Sequence, residues 1–147
     1  KPPEVDYDLE RRVQATCREG IRQGWIHSAH DSAEGGIAVA LAECCISGNL
    51  GAEIRLNIGS EASLRWDNLL FGEGGARILV SVAQDRSLTW ESYLQEQLGD
   101  YWQKIGQVSN ADAPLRVITA DDRSLIDVSI VNVRELFINA IERRLAI

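Results

Sequence analysis

Residues 27–36, HSAHDSAEGG, combine two histidines, two carboxylates and a Gly-Gly pair directly before the apolar run IAVALAECC. An apolar run of this kind predicts a buried helix, so these polar residues lie at its N-terminus. There, unpaired backbone N–H groups and the helix dipole stabilise an anion by about 0.3 to 2 kcal/mol. A simpler interpretation stays open, in which Asp31 or Ser32 caps the helix and the glycines only turn the chain.

A second glycine-rich loop lies in LFGEGGARILV, residues 70–80, between a short predicted helix and an apolar strand. Gly72, Gly74 and Gly75 surround Glu73, and Arg77 follows closely. Successive N–H groups in such a turn can form an anion-binding nest, and a plain turn would need fewer glycines. The interpretations as a ligand loop and as a turn both remain open. Neither loop has the Walker A or the GxGxxG spacing.

Other site chemistries are less well supported by the spacing. His27 and His30 with Cys44 and Cys45 would be poor zinc ligands, because the cysteines are adjacent in an apolar helix, where Cys is commonly a core residue. Asp31 and Glu34 could instead hold Mg²⁺. No G-x-S-x-G elbow is present, and no cysteine has polar surroundings that would activate it. We therefore predict no catalytic residue and no metal ligand within this chain.

Composition narrows the class of protein. The chain has 147 residues, which predicts one domain, and 15 Lys and Arg against 22 Asp and Glu give a net charge of −7. Without a basic cluster or a long apolar run, we expect neither nucleic acid nor a membrane as partner. Three cysteines, two of them adjacent, favour a reducing compartment, hence the cytoplasm. Because Met is absent even at position 1, we expect the chain to be part of something longer.

Periodicity predicts the elements that position the two loops. An opening helix is expected from its cap at Asp8 to Gly24, followed by an extended segment at 25–29 and the buried helix at 36–47. The apolar positions of the opening helix fall four residues apart: Leu9, Val13, Cys17 and Ile21. The alternating residues 51–58 predict a strand with one solvent-facing side, and a short helix should run from Ser60 to Leu70.

The second half of the chain also alternates between strands and helices. The apolar segment 76–83 predicts a central strand, and residues 87–98 a helix whose stripe is formed by Trp90, Leu94 and Leu98. Strands are expected at 101–108, 115–120 and 124–130, the last two as a hairpin, before a closing helix with an apolar stripe. Because the last connections are too short for parallel crossovers, the fold class is α+β, a mixed β-sheet covered by helices. The tryptophans are expected to be core or interface anchors.

Taken in this order, the two loops resemble a known family. SAHDSAEGGIAVALAE is similar to "HDVSDGGLAVALAE", and LFGEGGARILVSV resembles "LFGES-x-x-RVVVSV", both from the synthetase (large) subunit of phosphoribosylformylglycinamidine synthase. The similarity covers nearly the whole chain. It implies the C-terminal domain of that subunit, spanning residues 1–147 with a linker at 1–6. It also implies a fold shared with aminoimidazole ribonucleotide synthetase, hydrogenase-maturation protein and selenophosphate synthetase.

The resemblance implies an ATP-dependent C–N ligase of purine biosynthesis. In this reaction, ATP phosphorylates the amide oxygen of formylglycinamide ribonucleotide, and ammonia from a glutaminase subunit displaces phosphate to give the amidine. ATP and Mg²⁺ would be bound mainly by N-terminal domains of the same subunit, so this domain alone should be inactive. Gly72, Glu73 and Gly74 would contact the substrate phosphate through backbone N–H groups. His30 and Asp31 would line the cleft that faces the ATP-binding domain.

Two positions depart from the family pattern. Gly74 stands where the family has Ser, which removes a hydroxyl donor, and Glu34 stands where the family has Asp, which is one methylene shorter. Two alternatives to the synthase remain open. The chain is a domain of another superfamily member, such as aminoimidazole ribonucleotide synthetase, or it is a non-catalytic assembly domain whose glycine loops are ordinary turns.

Overall fold

The computed structural model describes residues 5–57 and 65–145. The elements follow in chain order as α1 (Tyr7–Arg22), β1 (Ile26–Asp31), α2 (Gly36–Gly48), β2 (Ala52–Leu56), α3 (Trp66–Phe71), β3 (Ile78–Val82), a 3-10 turn (Gln84–Arg86), α4 (Ser87–Leu98), β4 (Gly106–Val108), β5 (Leu115–Thr119), β6 (Ser124–Val128) and α5 (Ile130–Leu145). The predicted start of the short helix at Ser60 lies outside the described residues, as do the first four residues of the predicted linker.

Two compact units make up the described chain. Unit 1 contains residues 5–40 and 65–104, and unit 2 contains residues 41–57 and 105–145. The boundary at residue 40 falls inside α2. Both predicted glycine loops belong to unit 1.

The N-cap of helix α1 in unit 1 lies two residues earlier than predicted. It is Asp6 and not Asp8, because the Asp6 carboxylate accepts from the N–H groups of Asp8 and Leu9 at 3.1 and 3.0 Å. The buried face is also rotated from the predicted stripe: Val13, Thr16 and Gly20 are buried. Gly20 allows this face to pack closely against Trp90, because a Cβ at position 20 would lie 2.5 Å from Cζ3 of that ring.

The core of unit 1 forms around α4, and the predicted stripe is confirmed. Trp90, Leu94 and Leu98 are buried together with Val13 of α1. Trp25 packs beside them, with its ring 6.2 Å from that of Trp90. Burying a large apolar side chain contributes about 1.5 to 3 kcal/mol, so this cluster stabilises unit 1.

The sheet of unit 1 has two strands within the described residues, β1 and β3, which pair antiparallel. The prediction of a central strand at 76–83 is therefore wrong, because β3 pairs with β1 alone in this part of the chain. Its long apolar run has another cause. Ile78, Val80 and Val82 on one face pack against the Trp90 cluster, so the run reflects packing on a helical core.

Unit 2 contains a four-stranded sheet in the order β4-β2-β5-β6. Strands β2 and β5 are parallel, and the other two pairs are antiparallel, including the predicted hairpin of β5 and β6. Strand β2 alternates buried and exposed residues as predicted. Helices with a mixed sheet confirm the predicted α+β class.

Helix α2 confirms the helix predicted at 36–47. Helix α5 is also where a helix was expected, but much of its apolar stripe faces solvent, including Leu136, Phe137, Ile141 and Leu145. Ile130, at its first position, is buried. None of the helices in the described part of the chain combines the length and apolar character that crossing a bilayer requires.

Candidate functional site

The pairing of β1 with β3 brings the two glycine loops together. Asp31, the last residue of β1, lies opposite Ile78, the first residue of β3. The Ser32 N–H donates to the Arg77 carbonyl at 2.9 Å, which extends the ladder by one step. The loop after β1 and the loop before β3 therefore leave the same end of this sheet, although about forty residues separate them in sequence.

The two loops also contact each other directly. The Gly35 N–H donates to Oε1 of Glu73 at 3.4 Å, so a carboxylate from the second loop lies at the N-terminus of α2. Gly36 packs against the end of α3, since a Cβ there would lie 2.7 Å from the Leu70 carbonyl oxygen. A negative charge at this position is stabilised by the helix dipole.

This arrangement differs from the simpler interpretation of the first loop, in which Asp31 or Ser32 caps α2. Within the described residues, neither Asp31 nor Ser32 donates or accepts a capping hydrogen bond at α2, and Glu73 takes that place. The Ser32 residue is 5% exposed, and its hydroxyl has no hydrogen-bond partner in the described part of the chain.

Three hydrogen bonds hold the second loop. The Gly72 N–H donates to the Asn68 carbonyl at 2.9 Å and ends α3. The Ala76 N–H donates to the Glu10 carboxylate, which reaches the loop from α1. Nη2 of Arg77 donates to the Gly72 carbonyl at 2.6 Å.

Three successive N–H groups of the second loop take no part in these bonds, and we call them the free N–H row. Among the described residues, the N–H groups of Glu73, Gly74 and Gly75 have no acceptor. The Gly72 N–H, which was expected to contact a ligand, is already used inside the chain. The row of available donors is thus shifted by one residue along the loop. Three successive N–H groups beside a guanidinium can bind an anion.

His30 and Asp31 lie at the end of β1 beside these loops. Nδ1 of His30 lies 2.7 Å from the Asp31 carbonyl oxygen, and since a carbonyl only accepts, Nδ1 carries the proton in this contact. The same nitrogen is 4.0 Å from the Asp31 carboxylate, whose side chain is 81% exposed. The imidazole is therefore oriented by its neighbour's backbone, and the carboxylate points to solvent.

Metal chemistry has little support from these residues. The described part of the chain contains no group of three or more His, Cys, Asp and Glu side chains placed to hold an ion, and Asp31 and Glu34 form no such group. Cys45 is buried, and this burial raises the pKa of its thiol to about 11. The thiol is therefore protonated at neutral pH and behaves as a core side chain.

Sequence reasoning missed one residue of the site, Glu10, and one contact of another, Arg77. Glu10 is 66 positions from Ala76, and no local signal connects an acid in an amphipathic helix to a distant loop. Arg77 was recognised as a neighbour of the glycines, but its bond back to Gly72 was not. The one sequence signal for this bond is that a basic residue lies close to a Gly-rich turn.

The sequence matches the family described as "AIR synthase related protein, C-terminal domain" over residues 1–116. This chain belongs to that family. The AIR synthase-related domain is 60% identical over 147 residues to phosphoribosylformylglycinamidine synthase subunit PurL of Trichormus variabilis, covering 100% of this chain and 19% of that relative. It is 61% identical to the same subunit of Nostoc punctiforme, covering 99% of this chain and 18% of the relative. The domain thus spans about a fifth of the length of these relatives.

Solved structures show the same fold. "T. maritima PurL complexed with FGAR" is similar to the AIR synthase-related domain with a TM-score of 0.75 and 20% identity, covering 88% of this chain and 21% of that chain. "Structure of PurLQS from Thermotoga maritima" has a TM-score of 0.74 and 20% identity, with coverage of 89% and 22%. "T. maritima PurL complexed with ATP" has a TM-score of 0.73 and 20% identity, with coverage of 89% and 23%. The predicted resemblance in fold is confirmed.

Proposed function

We propose that this domain is the C-terminal part of the synthetase subunit of phosphoribosylformylglycinamidine synthase, and that it helps to bind the phosphate of formylglycinamide ribonucleotide (FGAR). The observation that carries the proposal is the row of N–H groups from Glu73 to Gly75 without an acceptor among the described residues. Such a row suits a phosphate monoester, whose oxygens accept several hydrogen bonds at once. The identity of 60% to a PurL subunit supports the same function.

In the proposed reaction, ATP phosphorylates the amide oxygen of FGAR, and ammonia then displaces phosphate to form the amidine. The contribution of this chain is positional: it binds the end of the substrate that does not react. Holding a remote group in this way directs the reacting amide toward its partners. No residue of this chain transfers a proton or forms a covalent bond in this scheme.

The remaining components lie on other parts of the assembly. ATP and Mg²⁺ are bound mainly by N-terminal domains of the same subunit, and ammonia comes from a glutaminase subunit, so the isolated domain has no turnover. A solved structure of PurL complexed with ATP supports the use of ATP by this kind of subunit. The assembly acts in the cytoplasm and requires neither nucleic acid nor a membrane.

His30 and Asp31 line the cleft toward the ATP-binding domain in this proposal. Their position at the end of β1 beside the free N–H row supports it. The bond from Nδ1 of His30 to the Asp31 backbone holds the ring in one orientation. The exposed Asp31 carboxylate remains available to a facing domain.

A titration of the 147-residue chain with ribose 5-phosphate, followed by ¹H–¹⁵N NMR, tests the proposal. We expect weak, saturable binding with the largest shifts at the amides of Glu73, Gly74 and Gly75. Ribose without phosphate should leave these signals unchanged, and the amide of Gly99, which ends α4, serves as an internal control. Shifts confined to other parts of the chain would remove the phosphate role from this loop.

The second candidate is aminoimidazole ribonucleotide synthetase, because the matched family is described as AIR synthase related. The complete synthetase that contains this chain distinguishes the two when supplied with FGAR, ATP and ammonium. The synthase converts FGAR to the amidine. An enzyme that leaves FGAR unchanged and closes the ring of the amidine would be the second candidate.

A further inference from the structure

Helix α5 has two apolar faces, which differ in exposure. Ile130 is buried and Val133 is half-buried, so this face packs inward. The second face consists of four side chains at the heptad spacing i, i+7, i+10 and i+14, with exposed fractions of 72, 64, 73 and 74%: Val131, Ile138, Ile141 and Leu145. We call these four residues the outer stripe. A surface helix with a single partner needs only one apolar face.

Arg134 fixes the orientation of α5. By its spacing it lies within the outer stripe, three residues after Val131 and four before Ile138. Its guanidinium turns back to the C-terminal end of α2, where Nη2 donates to the Ile46 carbonyl at 2.9 Å and to Oδ1 of Asn49 at 2.8 Å. The guanidinium is therefore bonded inside unit 2, and this contact holds the rest of the outer stripe turned outward.

The polar side of α5 lies opposite the outer stripe. Asn132 is exposed, and at about 100° per residue it falls on the far side of the helix from Ile141. The polar side is therefore the one suited to water. Apolar residues at alternating spacings of three and four are the pattern with which one helix packs against another. The outer stripe has this pattern, and among the described residues its side chains remain largely exposed.

The size of the outer stripe indicates which occupant it fits. Together with Phe137, which is exposed beside it, the stripe presents on the order of 500 Å² of apolar surface, near the upper end of the roughly 300 to 600 Å² found for the largest patch of a monomer. Covering it with one partner would bury roughly 1,000 Å² in total, which suits a contact between domains of one chain and is less than the roughly 1,600 Å² of a standard interface between separate chains. A second copy of this chain carries the same net charge of −7, which opposes self-association.

The length of the PurL relatives provides such a partner within one polypeptide. The AIR synthase-related domain spans only 18 to 19% of these relatives. The family match ends at residue 116, before α5, whereas the 60% identity to the Trichormus variabilis subunit extends over 147 residues. Helix α5 therefore belongs to what this chain shares with PurL subunits and lies outside its match to the wider family.

We propose that the outer stripe of α5 packs against an apolar helix face in the remaining part of the same synthetase subunit. This inference rests on the proposed function only in that it makes this chain one domain of a longer subunit, and it does not involve the phosphate contact. A contact within one polypeptide is stable with less area than a contact between separate chains, because the covalent connection raises the effective concentration of the two faces.

Thiol labelling of the complete synthetase subunit and of the 147-residue chain tests this contact. In the variant Ile141→Cys, the thiol should react rapidly with N-ethylmaleimide in the 147-residue chain and at least about 10-fold more slowly in the complete subunit, because a covered position reacts only after local opening. Mass spectrometry of the peptide that contains position 141 distinguishes this thiol from the native cysteines. Asn132→Cys is the matched control on the opposite side of the same helix, and it should react at the same rate in both proteins.

A measurement on the wild-type protein does not depend on any variant. Amide hydrogen exchange in the second half of α5 should be at least about 10-fold slower in the complete subunit than in the 147-residue chain. Equally rapid labelling of I141C, or equal exchange, in the two proteins would overturn the proposal. Slow labelling in the 147-residue chain would overturn it as well: if dilution restores the rate, a second copy covers the stripe, and if dilution has no effect, the chain itself covers it. The ribose 5-phosphate titration is independent of these outcomes, so a failure here leaves the proposed phosphate contact intact.

Discussion

At the scale of single residues, Gly36 shows how the start of α2 depends on the absence of a side chain. Its φ is 69°, and a Cβ would lie 2.7 Å from the Leu70 carbonyl oxygen and 2.8 Å from the carbonyl carbon of Phe71. Gly24 has the same φ of 69° but no atom within 4 Å of the corresponding Cβ position. Comparing the two glycines therefore distinguishes two costs of an added side chain. Both positions have the cost of the left-handed backbone, and Gly36 alone of the two also has the cost of a clash with backbone atoms.

This comparison gives a prediction for stability. Gly24→Ala should lower the free energy of unfolding by about 1 kcal/mol, the usual cost of a left-handed backbone for a residue with a side chain. Gly36→Ala should lower it by about 3 kcal/mol or more, because the end of α3 must also move. Urea unfolding followed by tryptophan fluorescence measures both. Equal losses in the two variants would mean that the contact of Gly36 with α3 carries no energy.

At the scale of elements, local pattern and packing contribute differently to what the sequence predicts. The α4 stripe and the alternation of β2 were predictable, because each element has one buried face and the spacing of its apolar residues shows which positions form that face. The apolar run of strand β3 predicted a central strand, but the run packs against a helical core and β3 pairs with β1 alone among the described residues. In α5 the period predicted the helix but not its surroundings, since an apolar stripe does not say what covers it.

The exposure of α5 leads to a second prediction. Ile130 is 4% exposed and Ile141 is 73% exposed, although both belong to the same helix. Ile130→Ala should therefore lower the free energy of unfolding by about 2 to 5 kcal/mol, whereas Ile141→Ala should change it by less than about 0.5 kcal/mol. Thermal and urea unfolding of the 147-residue chain provide the measurement. A large loss for Ile141→Ala would contradict its solvent exposure.

The candidate site was predictable to the extent that its signals are local. Both glycine loops could be found from composition, and the order of the loops carried the resemblance to a family. The contact of Gly35 with Glu73 could not be derived, because it depends on the pairing of β1 with β3. The bond from Ala76 to Glu10 depends on the packing of α1. Tertiary contacts thus decide which N–H groups of the loop remain free, and the sequence contains no local record of them.

At the scale of the whole molecule, acidic charge dominates the surface. The net charge at pH 7 is −7 and the isoelectric point is about 4.8. As the pH falls, carboxylates are protonated, the net charge approaches zero and the mutual repulsion of the chains disappears. Exposed apolar side chains such as those of α5 then encounter less electrostatic opposition to association.

We therefore expect the solubility of the chain to pass through a minimum near pH 4.8, the isoelectric point. The double variant Asp100→Asn, Asp112→Asn removes two exposed negative charges and should move this minimum to higher pH. Turbidity measured across pH 4 to 7 at low salt gives the position of the minimum. A minimum that does not move in the double variant would show that charge does not control the association.

Three hydrogen bonds hold the second loop in place, at Gly72, Ala76 and Arg77. They affect how tightly this loop would bind a ligand. A segment that is already ordered surrenders little conformational entropy when a ligand arrives. Little of the free energy of the ligand contacts is then offset by the cost of ordering the chain, and the affinity is higher. In the proposed function, such preorganisation would let three successive amides bind a small charged group without a deep cavity around it.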